Sequence, residues 1–213
     1  AHPTRGPDGQ IHLLAIGGDE RTPVSIARND GLKHYVASQA DVVIDRFLFA
    51  HWNQADAEVA AGRYFDWMLS RGATVQGVWA ANDPMALGVI AAARARGLEP
   101  GRDFGLVGLN WSPEAIAHVR DGSMLLTDGG HFLLGAWSMV MLRDLIDGCD
   151  FAQANAAQRL PTAAYDASVP VALDSLIASR DFSRIDFTRF RAHRGACGRY
   201  DFSLPRLVEA LRR

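Results

Sequence analysis

The sequence predicts an α/β protein built on a doubly wound parallel sheet. Short apolar runs, such as residues 11–17 and 41–49, alternate with longer segments of helical periodicity. The polar residues Asn82 and Asp83 directly follow another apolar run, residues 75–81. Because strands that are joined through helices run parallel, their carboxyl ends share one edge of the sheet. Open α/β sheets bind their ligands at that edge.

Composition and charge are typical of a globular protein. The chain has 213 residues, of which 48% are hydrophobic, and a formal net charge of −2. A chain of this length buries ~70% of its unfolded surface. The scattered basic residues and the near-neutral charge argue against a nucleic-acid or membrane surface. Residues 1–10 are polar and contain no signal-peptide core, so we expect any secretion signal to lie outside this chain.

The stretch 75–111 is the centre of the pattern, because it predicts a strand, a helix and a second strand in succession. Around it the same alternation continues in both directions. The predicted strands cover residues 11–17, 41–49, 75–81, 104–109 and 124–127, and the predicted helices cover residues 24–38, 54–70, 85–97 and 113–120.

The pattern changes after Asp128. The next predicted helix, residues 131–147, is apolar nearly all round, so we expect it to be buried on several sides. Beyond Gly148 the signals are looser. They predict a strand near residues 169–173, short helices at 174–179 and 203–212, and an irregular aromatic-basic segment at 182–200 that packs over a surface.

Three short segments resemble one family. Residues 81–88 read ANDPMALG, residues 107–110 read VGLN, and residues 25–32 read SIARNDGL. Together they resemble the sugar-type periplasmic binding proteins, which include the effector domains of lactose-repressor-type regulators. The resemblance covers roughly residues 11–150, and its most specific part is the ANDPMALG block. It implies a protein of two similar lobes, between which the chain crosses three times.

The resemblance also implies a division of the chain. Residues 1–10 are expected to be a linker or an N-terminal extension, residues 11–130 the second, ligand-binding lobe, and residues 131–213 a segment that returns to the first lobe. The opening half of the first lobe is then missing. Helix 131–147 lacks its natural sheet in that case, which favours self-association through this helix. The alternative is a compact single domain that buries the helix itself.

Arg28 and Trp52 are the first two candidates for ligand binding. Arg28 lies near a helix start, where its guanidinium group can clamp vicinal hydroxyls or a carboxylate. Trp52 follows the strand at 41–49, where an indole can stack on the apolar face of a sugar ring. The alternatives are a solvated helix arginine and a core or rim tryptophan.

Four further candidates follow the next two strands. Asn82 is expected mainly to contact the ligand, and Asp83, also a candidate ligand residue, mainly to cap the helix that starts at Pro84. Asn110 occupies a position where sugar binders of the resembled family usually carry aspartate. An amide both donates and accepts, so typical aldose recognition is in question. Trp111 is either a wall of the cleft or part of the core.

Asp128 and His131 flank the glycine pair at positions 129–130, where the resembled family often places a hinge or a ligand contact. Both are therefore candidate ligand residues. The alternative for His131 is a structural histidine at a helix start.

The resemblance suggests a disulfide between Cys149 and Cys197, because secreted binding proteins fold in an oxidising compartment. These are the two cysteines of the chain. The alternative is a pair of free buried thiols.

The sequence contains no catalytic motif that we recognise. It has no Gly-x-Ser-x-Gly, no phosphate-binding loop and no His-Glu-x-x-His, so we expect no enzymatic activity, no cofactor and no metal. The resemblance implies capture of a small, sugar-like solute in the periplasm for an ABC transporter permease or a membrane sensor. The alternative is the effector-binding domain of a lactose-repressor-type regulator. An α/β enzyme is a third class, since fold alone does not define function.

Overall fold

The computed structural model describes residues 5–149, 162–192, 197 and 200–211. The strands are β1 (Ile11–Gly17), β2 (Val42–Phe49), β3 (Gly77–Ala80), β4 (Gly105–Leu109), β5 (Leu126–Gly129) and β6 (Ala163–Tyr165). The helices are α1 (Pro23–Ala37), α2 (Gln54–Ser70), α3 (Asp83–Arg94), α4 (Pro113–Arg120), α5 (Leu134–Ile146), α6 (Ala172–Ser179) and α7 (Leu204–Glu209). Short 3-10 helices cover His131–Leu133, Phe182–Arg184 and Phe187–Phe190.

The six strands form one sheet in the order β2-β1-β3-β4-β5-β6. Strand β1 pairs in parallel with β2 and β3, β3 with β4, and β4 with β5. The predicted α/β fold with a parallel sheet is therefore confirmed. Because β1 to β5 run in the same direction, their carboxyl ends lie along one edge of the sheet, which we call the carboxyl edge.

The main core lies between this sheet and helices α2, α3 and α4. It includes buried side chains of β1, β3 and β4 such as Leu14, Val78 and Leu106. Helices α2 and α3 pack closely at Gly88, where a Cβ atom would lie 2.3 Å from the carbonyl oxygen of Gln54. A glycine at this position is therefore needed for the two helices to touch.

The described residues divide into two compact units. The first contains the chain as far as Asp128 together with Tyr165–Ala167, and the second contains Gly129–Ala164 and the residues from Ser168 onward. The division falls near the predicted boundary at residue 130, but the assignment of the units to two lobes stays a prediction. None of the described helices is long and apolar enough to cross a membrane.

The prediction of a strand near residues 169–173 is wrong. Val169 lies in a bend, and α6 begins at Ala172. Pro170 lacks the N–H group that a strand uses, whereas Leu173, Leu176 and Ile177 are buried with helical spacing. The strand of this region is β6, which the sequence did not reveal.

Helix α5 is less buried than its apolar sequence predicts. Trp137 and Val140 are buried, but Met139 and Ile146 are 64% and 69% exposed. The Trp137 ring packs against aromatic rings of the same unit, with its centroid 4.6 Å from that of Phe190 and 4.7 Å from that of Phe202. The helix therefore buries one face, and the expectation of burial on several sides is not met. The predicted irregular segment 182–200 contains two 3-10 helices, and residues 193–196 and 198–199 lie outside the described part.

The second unit contains a disulfide between Cys149 and Cys197. Their Cα atoms are 5.2 Å apart, and the bond closes a loop with a sequence separation of 48 residues. A cross-link of this span restricts the unfolded chain and stabilises the folded one by about 3–4 kcal/mol.

We expect thiol titration of the denatured, unreduced protein to find no free thiol. Two free thiols per chain would show that the cysteines do not pair in solution. Reduction before denaturation is the control, because it should then release both thiol groups.

A charged cluster fastens the start of β1 to β2 and α2. A register shift between Leu13 and Leu14 leaves Asp45 as an extra residue on β2. The Asp45 carboxylate lies 2.7 Å from Nδ1 of His12 and accepts a hydrogen bond of 3.1 Å from the hydroxyl of Tyr64. The hydrogen bond to Asp45 raises the pKa of His12, with a smaller contribution from Asp8 on the other ring nitrogen, although burial opposes the shift.

The raised pKa of His12 predicts a pH-dependent contribution to stability. The folded state favours the protonated ring, so the contribution is fully present below the ordinary histidine pKa and is lost as pH rises through the raised value. We expect His12→Gln to lower the free energy of unfolding more at about pH 5.5 than at about pH 9. Urea denaturation at both pH values measures this difference.

The matched control is His34→Gln, because His34 is exposed and makes no side-chain hydrogen bond in the described part of the chain. An equal loss of stability at both pH values in the His12 variant would contradict the prediction.

Candidate functional site

The loops at the carboxyl edge end in helix caps. The Oδ1 atom of Asn82 accepts a hydrogen bond of 2.9 Å from the backbone N–H of Met85 and so caps α3. The prediction that Asp83 provides this cap is wrong, because Asp83 is already the first residue of the helix and only the extended residue before it presents its side chain to the free N–H groups. Asn53 and Ser112 cap α2 and α4 in the same way.

Asp83 lies beneath the carboxyl edge, and its side chain is fully buried. One carboxylate oxygen accepts a hydrogen bond of 2.6 Å from the Thr127 hydroxyl, and the other accepts one of 2.7 Å from the backbone N–H of Ser112. Burial raises the pKa of Asp83, although these hydrogen bonds oppose the shift. In this conformation the carboxylate supports the edge from below and presents no oxygen at its surface.

Trp52 connects three of the loops. Its indole N–H donates a hydrogen bond of 2.5 Å to Asp19 after β1, and its carbonyl oxygen accepts one of 2.9 Å from Nδ2 of Asn82 after β3. The indole lies against Gly18, where a Cβ atom would approach the ring to 2.1 Å. Trp52 is thus fixed against the backbone of the β1–α1 loop, and both polar atoms of the Asn82 amide are used within the protein.

Asp19 is a site residue that the sequence analysis missed. Its Oδ1 atom accepts hydrogen bonds of 2.7 Å from the N–H groups of both Arg21 and Thr22, and these bonds, with that of the Trp52 indole, hold the pKa of Asp19 well below its usual range. Asp19 precedes Arg21 by two residues and Thr22 by three, a spacing that is typical of turns and predicts the loop. Nothing local predicts its bond to Trp52.

Arg28 lies beside Trp52. Its Cζ atom is 5.5 Å from the centroid of the Trp52 ring, and Nη1 donates a hydrogen bond of 2.6 Å to the carbonyl oxygen of Ala81. Burial lowers the pKa of Arg28, and the negative charge of Asp128 opposes that shift. Among the described residues Arg28 makes no other hydrogen bond, so the remaining donors of its guanidinium group are available to a ligand.

Asn110 and Trp111 follow β4 in an unusual backbone conformation, with φ angles of 144° and 59°. The backbone N–H of Asn110 donates a hydrogen bond of 2.7 Å to the carbonyl oxygen of Asp128, while its side-chain amide makes none within the described residues. The Trp111 ring is 3% exposed and packs edge-on against Tyr165, at 5.6 Å between centroids. Trp111 is therefore mainly a core residue.

The last two candidates lie in different units. Asp128 pairs with Leu109 in the β4–β5 register, at the carboxyl edge of the first unit. His131 is the first residue of a 3-10 helix in the second unit. The structure therefore brings Arg28, Trp52, Asn82, Asp83, Asn110, Trp111 and Asp128 to one edge, and His131 belongs to another part of the chain.

A metal centre and an apolar cavity are the alternatives to this edge as a binding site. Within the described residues, no group of three or more histidine, cysteine, aspartate or glutamate side chains is placed to hold a metal ion. A cavity of about 480 Å³ lies at the opposite, amino end of the sheet, beside Ile11, Gly77 and Gly105. Its lining is predominantly apolar, with Leu13, Trp79 and other large side chains, so it does not match a strongly polar solute.

Comparison with known proteins identifies the class of this fold. Residues 4–150 match a model of the periplasmic binding protein domain. A periplasmic sugar-binding protein from Pseudomonas fluorescens has 32% identity and a TM-score of 0.77, with 93% of this chain covered. The chain therefore belongs to the periplasmic binding protein family, which consists of binding proteins and not of enzymes.

Two more distant structures share the fold. The binding component of the arabinose ABC transporter of Shewanella sp. ANA-3 has 20% identity and a TM-score of 0.63, and covers 87% of this chain. A solute-binding protein of Actinobacillus succinogenes with bound D-allose has 20% identity and a TM-score of 0.58, and covers 76%. The chain spans 60%, 59% and 52% of the lengths of these three relatives. No curated protein matches it.

The contact between Gly18 and Trp52 makes a spectroscopic prediction. A methyl group at Gly18 cannot fit against the indole, so Gly18→Ala should displace Trp52 and change its fluorescence and near-ultraviolet circular dichroism. Asp19→Asn should produce a smaller change of the same kind, because it weakens the acceptor for the indole N–H.

Each substitution is also made in a Trp52→Phe background, which assigns the signal to this tryptophan. A spectral change of equal size with Phe at this position would contradict the assignment. Asp103→Asn is the control for the loss of a carboxylate, since Asp103 pairs with Arg102 and not with a tryptophan.

Proposed function

We propose that the carboxyl edge of the first unit forms one side of a binding site for a small, neutral, sugar-like solute. The observation that carries the proposal is the pair of polar side chains with unused hydrogen-bonding groups, Arg28 and Asn110. Both side chains are only partly buried, and the hydroxyl groups of a sugar can pair with their unused hydrogen-bonding groups.

Arg28 supplies fixed donors to this site. The bond to Ala81 and the Trp52 ring hold its guanidinium group in one place, so little further ordering is needed when a ligand binds. Asp128 lies close enough to oppose the shift in the pKa of Arg28. The negative charge of Asp128 reduces the attraction of this edge for an anion, which favours a neutral ligand over an acidic one.

Asn110 adds an amide that both donates and accepts. A sugar hydroxyl has the same dual capacity, so one hydroxyl can satisfy both the amide and a neighbouring group. Trp52 contributes the edge of an immobilised indole, whose amphipathic ring suits the mixed surface of a sugar. Candidate contacts of Asn82 and His131 with the ligand stay predictions.

The family relationship supports the wider role. Relatives of similar structure are periplasmic and bind sugars, and one belongs to an arabinose ABC transporter. We propose that this protein likewise delivers its ligand in the periplasm to a transporter permease or a membrane sensor. The chain spans 60% of the length of the Pseudomonas fluorescens protein, so we propose, and do not observe, a second wall of the site and a membrane partner.

We expect this 213-residue chain to bind sugars weakly, because one wall provides about half of the polar contacts. Losing half of the ~8 kcal/mol of a micromolar binder leaves a dissociation constant near or above 1 mM. Ligand-detected NMR with L-arabinose, D-allose and myo-inositol should show saturable contact with at least one of them.

Arg28→Gln should abolish this contact, and Arg180→Gln, which changes an exposed arginine of the second unit, should leave it intact. Contact with all three sugars that does not depend on Arg28 would refute the site. The molar mass of the protein in solution is measured on the same sample, because we expect association through the exposed face of α5. Micromolar binding by a strictly monomeric chain would refute both the half-site and the association.

A further inference from the structure

The outer surface of α2 carries a group of arginines around one tryptophan. Arg63, Trp67 and Arg71 follow one another at intervals of four residues, so they lie on the same side of the helix and its C-cap. Arg46 reaches the same tryptophan from β2, the outermost strand of the sheet. We call Arg46, Arg63, Trp67 and Arg71 the basic-aromatic patch.

The tryptophan orders two of the arginines. The Cζ atom of Arg46 lies 4.5 Å from the centroid of the Trp67 ring, and that of Arg71 lies 5.2 Å from it. The Tyr64 ring, with its centroid 5.8 Å away, supports the indole from within the protein. Because the two guanidinium groups already rest on the ring, a partner that binds them has less side-chain entropy to remove.

In the part of the chain that the structure describes, the arginines of the patch have no carboxylate partner. Within the described residues, none of Arg46, Arg63 and Arg71 forms an ion pair, and the one side-chain hydrogen bond among them runs from Arg46 to a backbone carbonyl. The nearby acids are already engaged. Asp45 contacts His12 and Tyr64, and Asp66, on the other flank of α2, pairs with Arg96 of α3. The patch is therefore positive although the chain has a net charge of −2.

We propose that the basic-aromatic patch docks a protein segment that carries carboxylate side chains. The planar guanidinium group matches a carboxylate with two parallel hydrogen bonds, which lysine cannot reproduce. Tryptophan and arginine are also the residues most enriched in the energetic centres of protein interfaces. The patch lies on the outer surface of α2 and not at the carboxyl edge, so this surface is independent of the proposed sugar site.

Two other anionic partners fit the patch less well. Recognition of anionic lipid headgroups typically uses clusters of four to eight basic residues, and the patch has three. Nucleic acid requires a more extended basic surface than one group of three arginines. A protein segment additionally finds main-chain hydrogen-bonding groups close by, because β2 is the edge strand of the sheet.

The test uses a capped hexaglutamate peptide and the full 213-residue chain. We expect saturable binding of the peptide that changes the fluorescence of Trp67. The fluorescence change should be lost in Trp67→Phe, and binding should weaken as salt is added. The double substitution Arg63→Gln with Arg71→Gln should weaken binding about fivefold, as expected for two exposed ion pairs. Replacement of the same two residues by lysine should weaken it less. Arg180→Gln, at an exposed arginine outside the patch, is the control for loss of charge.

Three results would overturn the proposal. The first is no saturable binding of hexaglutamate, and the second is binding that the double glutamine substitution leaves unchanged. The third is patch-dependent binding to vesicles that contain phosphatidylglycerol, or to inorganic phosphate, without binding of the peptide. That result would assign the patch to a membrane surface or to a free anion.

Discussion

The buried hydrogen bond between Asp83 and Thr127 is the contact on which the carboxyl edge depends. The Asp83 carboxylate joins the first turn of α3 to β5 through the Thr127 hydroxyl and to the β4–α4 loop through the N–H of Ser112. The same Thr127 oxygen accepts a hydrogen bond of 3.2 Å from the N–H of Trp111. A buried carboxylate without these donors would be costly, so the network has one stable arrangement. Asn110 and Asp128 are the chain neighbours of Trp111 and Thr127, two members of this network.

A second aspartate, Asp19, plays the corresponding part at the end of the carboxyl edge that is formed by β1 and β2. Asp19 holds the indole of Trp52, and Trp52 in turn fixes the loops that follow β1, β2 and β3. The two aspartates differ in their electrostatics, because burial raises the pKa of Asp83 whereas hydrogen bonds from N–H groups lower that of Asp19. Arg28 lies beside Trp52, which Asp19 holds, and the negative charge of Asp128 acts on its pKa. Asp128 is the neighbour of Thr127, which bonds to Asp83.

Local sequence predicted the elements well and the tertiary contacts poorly. Strand β1 and helix α2 were predicted with the bounds that the structure has, because apolar runs and helical spacing are local signals. Asn82 and not Asp83 caps α3, since either residue type can cap a helix and only the backbone angles decide. The bond between Asp19 and Trp52 joins residues 33 positions apart, so no periodicity indicates it. Strand β6 has three residues, too few to produce a pattern.

The backbone at the two tryptophans of the carboxyl edge is strained and needs support from surrounding contacts. His51 and Trp52 after β2, and Asn110 and Trp111 after β4, have φ angles between 46° and 144°, a region that side chains other than glycine rarely adopt. Each such residue costs on the order of 1–3 kcal/mol, which surrounding contacts must offset. Asp19 holds the first pair through the indole of Trp52, and Asp83 holds the second through Thr127. These contacts fix the loops that carry Trp52 and Asn110, so the carboxyl edge is ordered without a ligand. A ligand that binds to donors already fixed in place has less side-chain entropy to remove, which is the physical basis of the site proposed at this edge.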